Sequence, residues 1–281
     1  MLFDNRKYII FDGAMGTMLQ KSGLKPGERP DIMSITAPHA VERIHRMYVE
    51  AGSDIICSNT FGANADTLRG AGYTPEEIIT AAVAIARRAS GGTAKVALDI
   101  GPTGSLLEPV GDLEFERAYE LFKEQALAGE KAGADYAAIE TMSDIAELKA
   151  AILAVTENTR LPVLATMTFN KTGRTFMGCT PEDFVQTAEQ LGVSAVGINC
   201  SLEPAEMYVT AQRIAEKTNL PLIVKPNAGL PDGVTGLYSI GPEEFALQMA
   251  QLMKIGVKIV GGCCGTTPDY IRELKRTFLH E

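Results

Sequence analysis

Eight short apolar runs alternate with longer amphipathic segments along the chain, and this alternation limits the fold more than any other feature. Most of the runs are continuously apolar, which is typical of parallel strands that are covered on both faces. Strands with one face in solvent would instead alternate apolar and polar residues. We expect the eight strands to be Tyr8–Asp12, Ile55–Asn59, Val96–Ile100, Tyr136–Glu140, Val163–Thr168, Ala195–Cys200, Leu222–Lys225 and Lys258–Gly261.

The intervening segments have the period of amphipathic helices, whose apolar side chains share one face. One such stripe, with spacings of 3, 4 and 3, consists of Ile145, Leu148, Ile152 and Val155. Proline and acidic residues in a first turn mark helix starts at Thr74-Pro75-Glu76-Glu77, Thr180-Pro181-Glu182-Asp183 and Gly241-Pro242-Glu243-Glu244. Glycine after the last helical residue marks helix ends at Ala51-Gly52, Ala132-Gly133 and Leu191-Gly192.

The pattern predicts one α/β domain, residues 1–281, folded as a closed (β/α)₈ TIM barrel. A doubly wound open sheet is the alternative, but eight consecutive strand–helix units without a long Ser/Pro linker favour the barrel. In such barrels the active site lies at the C-terminal ends of the strands. The two longest loops, Lys21–His39 and Asn227–Gly241, are therefore expected on that face.

The composition narrows the class of protein. A formal charge of −9, with no basic run longer than Arg87-Arg88, argues against nucleic acid and anionic membranes as partners. No stretch reaches the ~18 apolar residues that a membrane span needs. The apolar run at the N-terminus is too short for a signal peptide and is interrupted by Asp12, so we expect a cytoplasmic protein. Five cysteines are too sparse for a disulfide scaffold, which leaves packing, metal binding or nucleophilic chemistry.

Three cysteines stand at strand ends. Cys263 and Cys264 lie between glycines after the eighth predicted strand, and Cys200 ends the sixth. Neighbouring residues of a regular strand point to opposite faces, so Cys263 and Cys264 could share a metal only where the backbone leaves the pleat. The flanking Gly261-Gly262 and Gly265 permit such a break. The ends of the two strands can then meet across the mouth of a barrel.

Zinc is the natural occupant of such a cluster, because it binds thiolates in tetrahedral geometry. Three protein ligands would leave one position open, as in catalytic sites. Three thiolates make zinc a weak activator of water, but they leave a bound substrate thiolate electron-rich, so we expect alkylation of sulfur. The alternatives are a buried pair beside a glycine turn with Cys200 as core packing, or a vicinal disulfide. Cys57 and Cys179 are expected to be packing residues.

Carboxylates and a glycine turn stand at other strand ends. Glu140 and Asp12 would accept the ammonium group of an amino-acid substrate, although salt bridges to lysine or arginine in the barrel are the alternative. The substrate carboxylate would take backbone N–H groups of the Gly13-Ala14-Met15-Gly16 turn. Asn227 is either a neutral oxygen ligand or a structural turn residue.

Five motifs at these positions resemble the homocysteine S-methyltransferase family, and most closely the homocysteine-binding modules of cobalamin-dependent methionine synthases. The resemblance runs from end to end of the chain. The motifs are Asp12-Gly13-Ala14-Met15-Gly16-Thr17, Asn59-Thr60-Phe61-Gly62-Ala63-Asn64, Glu140-Thr141-Met142-Ser143-Asp144, Gly197-Ile198-Asn199-Cys200 and Gly261-Gly262-Cys263-Cys264-Gly265-Thr266-Thr267-Pro268.

The resemblance implies a TIM barrel in which homocysteine sulfur binds zinc and is methylated by direct displacement, giving methionine. Glu140 and Asp12 would lie near the amino group of homocysteine. Asn227 would lie close to the metal and fill its coordination when substrate is absent. The zinc ligands and catalytic residues would be Cys200, Cys263 and Cys264.

The methyl donor implied by the resemblance is methylcobalamin on a partner module or protein, within the 5-methyltetrahydrofolate pathway. Full methionine synthases continue into folate-binding, cobalamin-binding and reactivation modules, whereas this sequence ends after the eighth helical segment. The chain is expected to be a dissected module or a standalone protein served by a separate corrinoid protein. The alternatives are direct use of S-methylmethionine or betaine, or a non-catalytic subunit that presents homocysteine. The lack of Trp argues against a quaternary ammonium donor, although eight Tyr keep betaine open.

Overall fold

The computed structural model describes residues 6–25, 27–233 and 235–278. Eight parallel strands stand in the order β1-β8-β7-β6-β5-β4-β3-β2, and a bridge between Phe11 and Ile55 brings the first and last of them together. The predicted single (β/α)₈ TIM barrel is therefore confirmed. The strands are β1 (Ile9–Ile10), β2 (Ile55–Cys57), β3 (Lys95–Ile100), β4 (Tyr136–Met142), β5 (Val163–Met167), β6 (Ala195–Asn199), β7 (Leu222–Lys225) and β8 (Val257–Val260).

The helices lie between the strands in sequence and pack around the barrel. They are α1 (Met15–Lys21), α2 (Met33–Thr36), α3 (Pro38–Ala51), α4 (Pro75–Ser90), α5 (Phe115–Ala132), α6 (Ile145–Asn158), α7 (Pro181–Gln190), α8 (Pro204–Ala215), α9 (Pro242–Met253) and α10 (Pro268–Phe278). None of the helices in the described part of the chain is long and apolar enough to cross a membrane.

Local signals in the sequence explain the helix boundaries. Thr74 and Thr180 each form a capping box with the acidic residue three positions later, which satisfies N–H groups that the first turn leaves open. Gly52 and Gly133 end α3 and α5 with φ of 112° and 91°, a left-handed conformation that glycine adopts without a steric penalty. These predicted helix ends are confirmed.

Two buried regions hold the barrel together. Side chains on the outer face of the strands pack under the helices, and a separate inner core fills the barrel. Because successive side chains of a strand point to opposite faces, Ile9 and Phe11 lie in the inner core while Ile10 lies in the outer one. The inner core is mainly apolar below the mouth, and the buried charged groups Asp12, Glu140 and Lys225 stand at the C-terminal ends of the strands.

Most predicted strand boundaries differ from the structure by one or two residues, and three differences stand out. Regular pairing in β1 covers only Ile9–Ile10 of the predicted Tyr8–Asp12. β6 ends at Asn199 because Cys200 has a φ of +61°, which no regular strand accommodates. The predicted loop Lys21–His39 contains a 3₁₀ turn at Pro30–Ile32 and the short helix α2, because Pro30 sets the φ of a first helical position.

Candidate metal and substrate site

A cavity of about 620 Å³ opens at the mouth of the barrel, where the strands end. Residues at the ends of β1, β2, β3, β4, β6, β7 and β8 line it, so the site draws on nearly the whole sequence. Eight of the nine predicted site residues lie in its wall, and Asn227 lies beside Cys200 instead. The eight wall residues are Asp12, Gly13, Ala14, Met15, Glu140, Cys200, Cys263 and Cys264.

Alternation along the strands explains which side chains reach the floor of the cavity. The inner core of the barrel includes Ile55, Ala97, Ala138 and Ile223. The residue two positions further along each of these strands points to the same side, now at the level of the mouth. Those four residues are Cys57, Asp99, Glu140 and Lys225.

The structure brings the three predicted thiols together. The sulfurs of Cys200, Cys263 and Cys264 all lie within 4.8 Å of one another, and the distance between Sγ of Cys200 and Sγ of Cys264 is 3.9 Å. Two sulfurs at ~2.3 Å from one tetrahedral zinc lie about 3.8 Å apart. The cluster therefore has the donor atoms and the spacing that a single zinc ion requires, and the ligand role of these thiols stays a prediction.

Unusual backbone positions the thiols. In the described ranges the non-glycine residues with positive φ are Thr141, Cys200 and Ser201, at 64°, 61° and 62°, and all three lie at this rim. Such conformations cost free energy and persist where the surroundings enforce them. Here the Cys200 N–H donates to the Lys225 carbonyl at 3.0 Å, and the Cys263 N–H donates to the Pro226 carbonyl at 2.7 Å. These bonds tie the thiols to the end of β7.

Two glycines let Cys263 and Cys264 leave the pleat of β8. A Cβ on Gly262 would lie 2.2 Å from Oγ1 of Thr266, so no larger residue fits there. Gly265 has a φ of +82°, and a Cβ would lie 2.3 Å from the ring of Tyr238. The backbone break that the sequence predicted between these glycines is present, and it turns both thiols toward Cys200.

Hydrogen bonds among the thiols separate their acidities. Bonds from Cys263 and Cys264 lower the pKa of Cys200 to about 3, because they stabilise its thiolate. Donation to Cys200 in turn raises the pKa of Cys264 to about 11, and the pKa of Cys263 is raised for the same reason. One sulfur of the cluster is thus a thiolate near neutral pH, which is the form that binds metals.

Two asparagines support the cluster. Nδ2 of Asn199 lies 3.9 Å from Sγ of Cys263 and donates to Thr141, while its Oδ1 accepts from Thr141 and Thr166. Asn227 lies close enough to Cys200 to help lower the pKa of its thiol, and the buried Oδ1 of Asn227 has no partner among the described residues. An unpartnered oxygen beside the thiols is compatible with the predicted neutral oxygen ligand, and the choice between a ligand and a structural turn residue stays a prediction.

An ion pair forms part of the floor of the cavity. Nζ of Lys225 donates to Oε2 of Glu140, and both side chains are buried. Nζ of Lys225 also lies 4.0 Å from Sγ of Cys57 and 4.7 Å from the centre of the Phe11 ring. Burial alone would lower the pKa of Lys225, but Cys57, Glu140 and Asp99 together raise it well above its usual value. The salt bridge foreseen as an alternative for Glu140 is therefore present, in a residue that still lines the cavity.

Two aspartates complete the floor. Oδ2 of Asp12 accepts the Cys57 N–H at 2.9 Å. Burial raises the pKa of Asp12 to about 7, although Lys225 acts in the opposite direction. Burial and then the charge of Glu140 raise the pKa of Asp99 well above its usual range, and its Oδ1 has no partner among the described residues. The floor therefore holds three carboxyl groups against one lysine.

The predicted glycine turn has a more specific structure than the sequence suggested. The Ala14 N–H already donates to both oxygens of Thr266 at 3.2 Å. Met15 opens α1, whose first N–H groups have no partner within the helix. A Cβ on Gly13 would lie 2.7 Å from Oγ1 of Thr266, so the chain passes too closely for any other residue. The use of this turn for a substrate carboxylate stays a prediction for Gly13 and Met15.

Lys225, Asp99 and Cys57 are functional candidates that sequence reasoning passed over. Each was assigned to a strand end or to packing, whereas the structure places all three in the cavity wall. The signal was present in the odd–even register of the strands, because each lies two positions after an inward-facing apolar residue. Cys179, in contrast, is buried in a loop outside this wall, as its predicted packing role requires.

The chain is similar in sequence to homocysteine S-methyltransferases and to methionine synthases. The family model described as "Homocysteine S-methyltransferase" matches residues 9–278. The methionine synthases of Mycobacterium leprae and Mycobacterium tuberculosis are each 35% identical to the chain over 96% of its length. The chain spans about a quarter of those relatives, 24% in each case.

Solved structures give the same result. The homocysteine methyltransferase MmuM from Escherichia coli, in its metallated form, superimposes with a TM-score of 0.85 at 25% identity and covers 97% of both chains. The carboxyl transferase domain of Rhizobium etli pyruvate carboxylase, at 15% identity and a TM-score of 0.54, shares the fold alone. The match over nearly the whole barrel and the motifs gathered at its mouth show that the chain belongs to the homocysteine S-methyltransferase family.

Proposed function

We propose that the chain is a zinc-dependent methyltransferase that transfers a methyl group to the sulfur of L-homocysteine and produces methionine. The observation that carries this proposal is the convergence of three cysteine sulfurs within 4.8 Å at the mouth of the barrel. Membership of the homocysteine S-methyltransferase family supports a methyltransferase. The reduced thiols of this cluster fit the predicted cytoplasmic location.

The donor set fits zinc better than a hard cation. Cys200, Cys263 and Cys264 offer only sulfur, which selects soft or borderline ions. These three residues would hold the zinc, and the neighbouring Asn227 oxygen would supply a weak ligand that substrate can replace. Zinc bound there would hold the homocysteine sulfur as a thiolate near neutral pH while leaving it able to attack a methyl carbon.

The remaining residues of the cavity would orient the amino-acid part of the substrate. Glu140 and Asp12, which lie in the cavity wall, are the proposed acceptors for the α-ammonium group. Backbone N–H groups of Gly13 and Met15 are the proposed donors to the substrate carboxylate. An amino acid held at both ends has its sulfur directed at the thiol cluster, which lowers the entropic barrier to displacement.

We further propose methylcobalamin on a corrinoid-binding module or protein as the methyl donor. The relatives named methionine synthase are 35% identical to the chain, against 25% for MmuM. The second candidate, which the family resemblance leaves open, is an enzyme that uses S-methylmethionine or betaine directly.

A donor comparison tests these proposals. The purified zinc-loaded chain is given homocysteine with methylcobalamin, S-methylmethionine or betaine, and methionine is measured. We expect turnover with methylcobalamin. Turnover with S-methylmethionine or betaine and none with methylcobalamin would overturn the donor, whereas tight homocysteine binding without turnover from any donor would indicate a non-catalytic presenting subunit.

The substrate side of the site is tested with Glu140→Ala. We expect this change to raise the homocysteine concentration required for half-maximal rate by roughly 10-fold or more, because a charged hydrogen bond is lost. Zinc content should stay near that of the wild type, since Glu140 is not among the three thiol donors. An unchanged affinity for homocysteine would remove Glu140 from the substrate site.

A further inference from the structure

Lys225 is the centre of a set of contacts that crosses the barrel. From the end of β7 its ammonium group reaches Glu140 on β4, Cys57 on β2 and the ring of Phe11 after β1. Only 6% of its side chain is exposed. The lysine therefore reaches across the barrel at the floor of the cavity and is almost completely shielded from solvent.

The Lys225–Glu140 pair separates the cavity from the apolar interior. Both residues line the large cavity above and a small void below, whose other walls include Phe11, Leu164 and Ile223. A buried ion pair of this kind is weak evidence for stability, because desolvation offsets the attraction of the charges. An apolar side chain of similar length would fill the same space. The position of the pair therefore calls for a functional reason.

The geometry of the Lys225–Glu140 pair indicates such a functional role. Lys225 donates to Oε2 of Glu140. The Glu140 side chain is 12% exposed, and the residue lines the cavity. Glu140 is followed by Thr141, whose left-handed backbone is held by Asn199. Lys225 thus engages one carboxylate oxygen of Glu140, which leaves Oε1 as the acceptor for an incoming ammonium group.

The charges of the floor leave room for one more cation. Asp12, Asp99 and Glu140 face the single ammonium group of Lys225, and Oδ1 of Asp99 has no partner in the described ranges. A second ammonium group entering the cavity would find acceptors on Glu140 and Asp99. Burial raises the pKa of Asp99 and Asp12, and an entering ammonium group would favour ionisation of these carboxyl groups, which would offset its repulsion from Lys225.

We propose that Lys225 is a positioning residue that holds Glu140 in place for the α-ammonium group of the substrate, and that this pair sets the preference for thiols carrying an α-amino group. The inference rests on the proposed function and adds the residue on which the preference for an α-amino group depends. Lys225 itself does not touch substrate in this arrangement.

Binding of two thiols to zinc-loaded protein tests the inference. The ligands are L-homocysteine and γ-mercaptobutanoic acid, which is homocysteine without its amino group, and affinities are measured by calorimetry. We expect Lys225→Met to weaken homocysteine binding roughly 10- to 100-fold, because the acceptor of the ammonium group is no longer held. Binding of γ-mercaptobutanoic acid should change less than about twofold, and zinc content should not change.

A double-mutant cycle shows whether Lys225 acts through Glu140. In a Glu140→Gln background, Lys225→Met should weaken homocysteine binding by much less than it does in the wild type, since coupled residues are not additive. Lys225→Arg keeps the charge and should restore most of the preference for homocysteine. Lys217→Met, at an exposed lysine in the turn after α8 and outside the cavity wall, is the matched control and should behave as the wild type.

Three outcomes would overturn the inference while leaving the proposed function intact. The first is an equal loss of binding affinity for both thiols in Lys225→Met. The second is that the effects of Lys225→Met and Glu140→Gln on homocysteine affinity are additive. The third is that Lys225→Met binds homocysteine as tightly as the wild type. If Lys225→Met does not fold, Lys225→Gln keeps a hydrogen-bond donor and must still reduce the discrimination between the thiols. Absence of homocysteine binding in the wild type would instead contradict the proposed function.

Discussion

The side chain of Cys263 shows how single residues determine this site. Its sulfur lies in the group of three thiols, with the amide of Asn199 at 3.9 Å. We expect Cys263→Ala to abolish zinc retention and methyl transfer while leaving the fold, because the residue follows β8 and belongs to neither hydrophobic core. Zinc per chain after desalting and the far-ultraviolet circular dichroism spectrum measure the two effects.

Cys179→Ala is the matched control for this variant. Cys179 is also a free cysteine, but it is buried in a loop outside the cavity wall, so zinc content should not change. Normal zinc content and turnover in Cys263→Ala would remove that thiol from the ligand set.

His45, which lies outside the cavity, makes the free energy of unfolding depend on pH. Its ring on α3 is fully buried, and neither nitrogen has a partner among the described residues. Burial lowers the pKa of His45 to about 4, compared with ~6.5 for an unfolded chain. Between these values the unfolded state binds the additional proton, so the free energy of unfolding falls as the pH falls through this window.

We expect His45→Leu to remove this loss. The difference in unfolding free energy between His45→Leu and the wild type should grow by up to about 3 kcal/mol between pH 7 and pH 4. Urea denaturation at several pH values measures the difference, and His39→Leu, at an exposed position on the same helix, shows what replacing a surface histidine does. A difference that is constant with pH would mean that His45 is not held neutral by burial.

At the level of elements, the irregular ends of β6 and β8 orient the three thiols toward one another, which regular strands could not do. A regular β8 would turn Cys263 and Cys264 to opposite faces. The turn at Gly265 prevents this, with a φ of +82° and the Tyr238 ring 2.3 Å from where a Cβ would stand. The site therefore depends on where the strand stops as much as on which residues it carries.

Gly265→Ala tests this dependence. We expect it to lower zinc affinity and to destabilise the fold by about 1–3 kcal/mol, because alanine at positive φ is strained and collides with Tyr238. Competition with a metal-binding dye and thermal unfolding measure the two effects. Gly233→Ala is the control, since nothing lies within 4 Å of its Cβ position. Equal zinc affinities in both variants would mean that the thiol cluster tolerates a regular backbone.

The sequence predicts the elements well and the side-chain pairs poorly, for a physical reason. Strands such as Leu222–Lys225 and caps such as Thr180 follow from local apolar runs and turn residues. The meeting of Cys200 with Cys264 follows from the rule that strand ends converge in a barrel. The pair of Lys225 and Glu140 joins residues 85 positions apart, and its choice among several acceptors depends on side-chain packing that no local pattern contains.

At the scale of the whole molecule, the barrel gathers residues from both ends of the chain at one mouth. Asp12 and Cys264 belong to the first and last strand ends, and both line the cavity. The fold itself was predictable because eight similar units repeat and only a closed arrangement buries every strand. The methyl donor was not predictable, because the predicted site residues concern the metal and the amino acid rather than the donor.

X-ray absorption at the zinc edge tests whether Cys200, Cys263 and Cys264, which follow β6 and β8, bind one zinc ion. Protein loaded with an equimolar amount of zinc is measured with and without L-homocysteine. We expect three sulfur atoms at about 2.3 Å and one oxygen or nitrogen without substrate, and four sulfur atoms with it. Fewer than three sulfurs in the first spectrum, or the same number in both, would contradict a zinc thiolate site that receives the substrate sulfur.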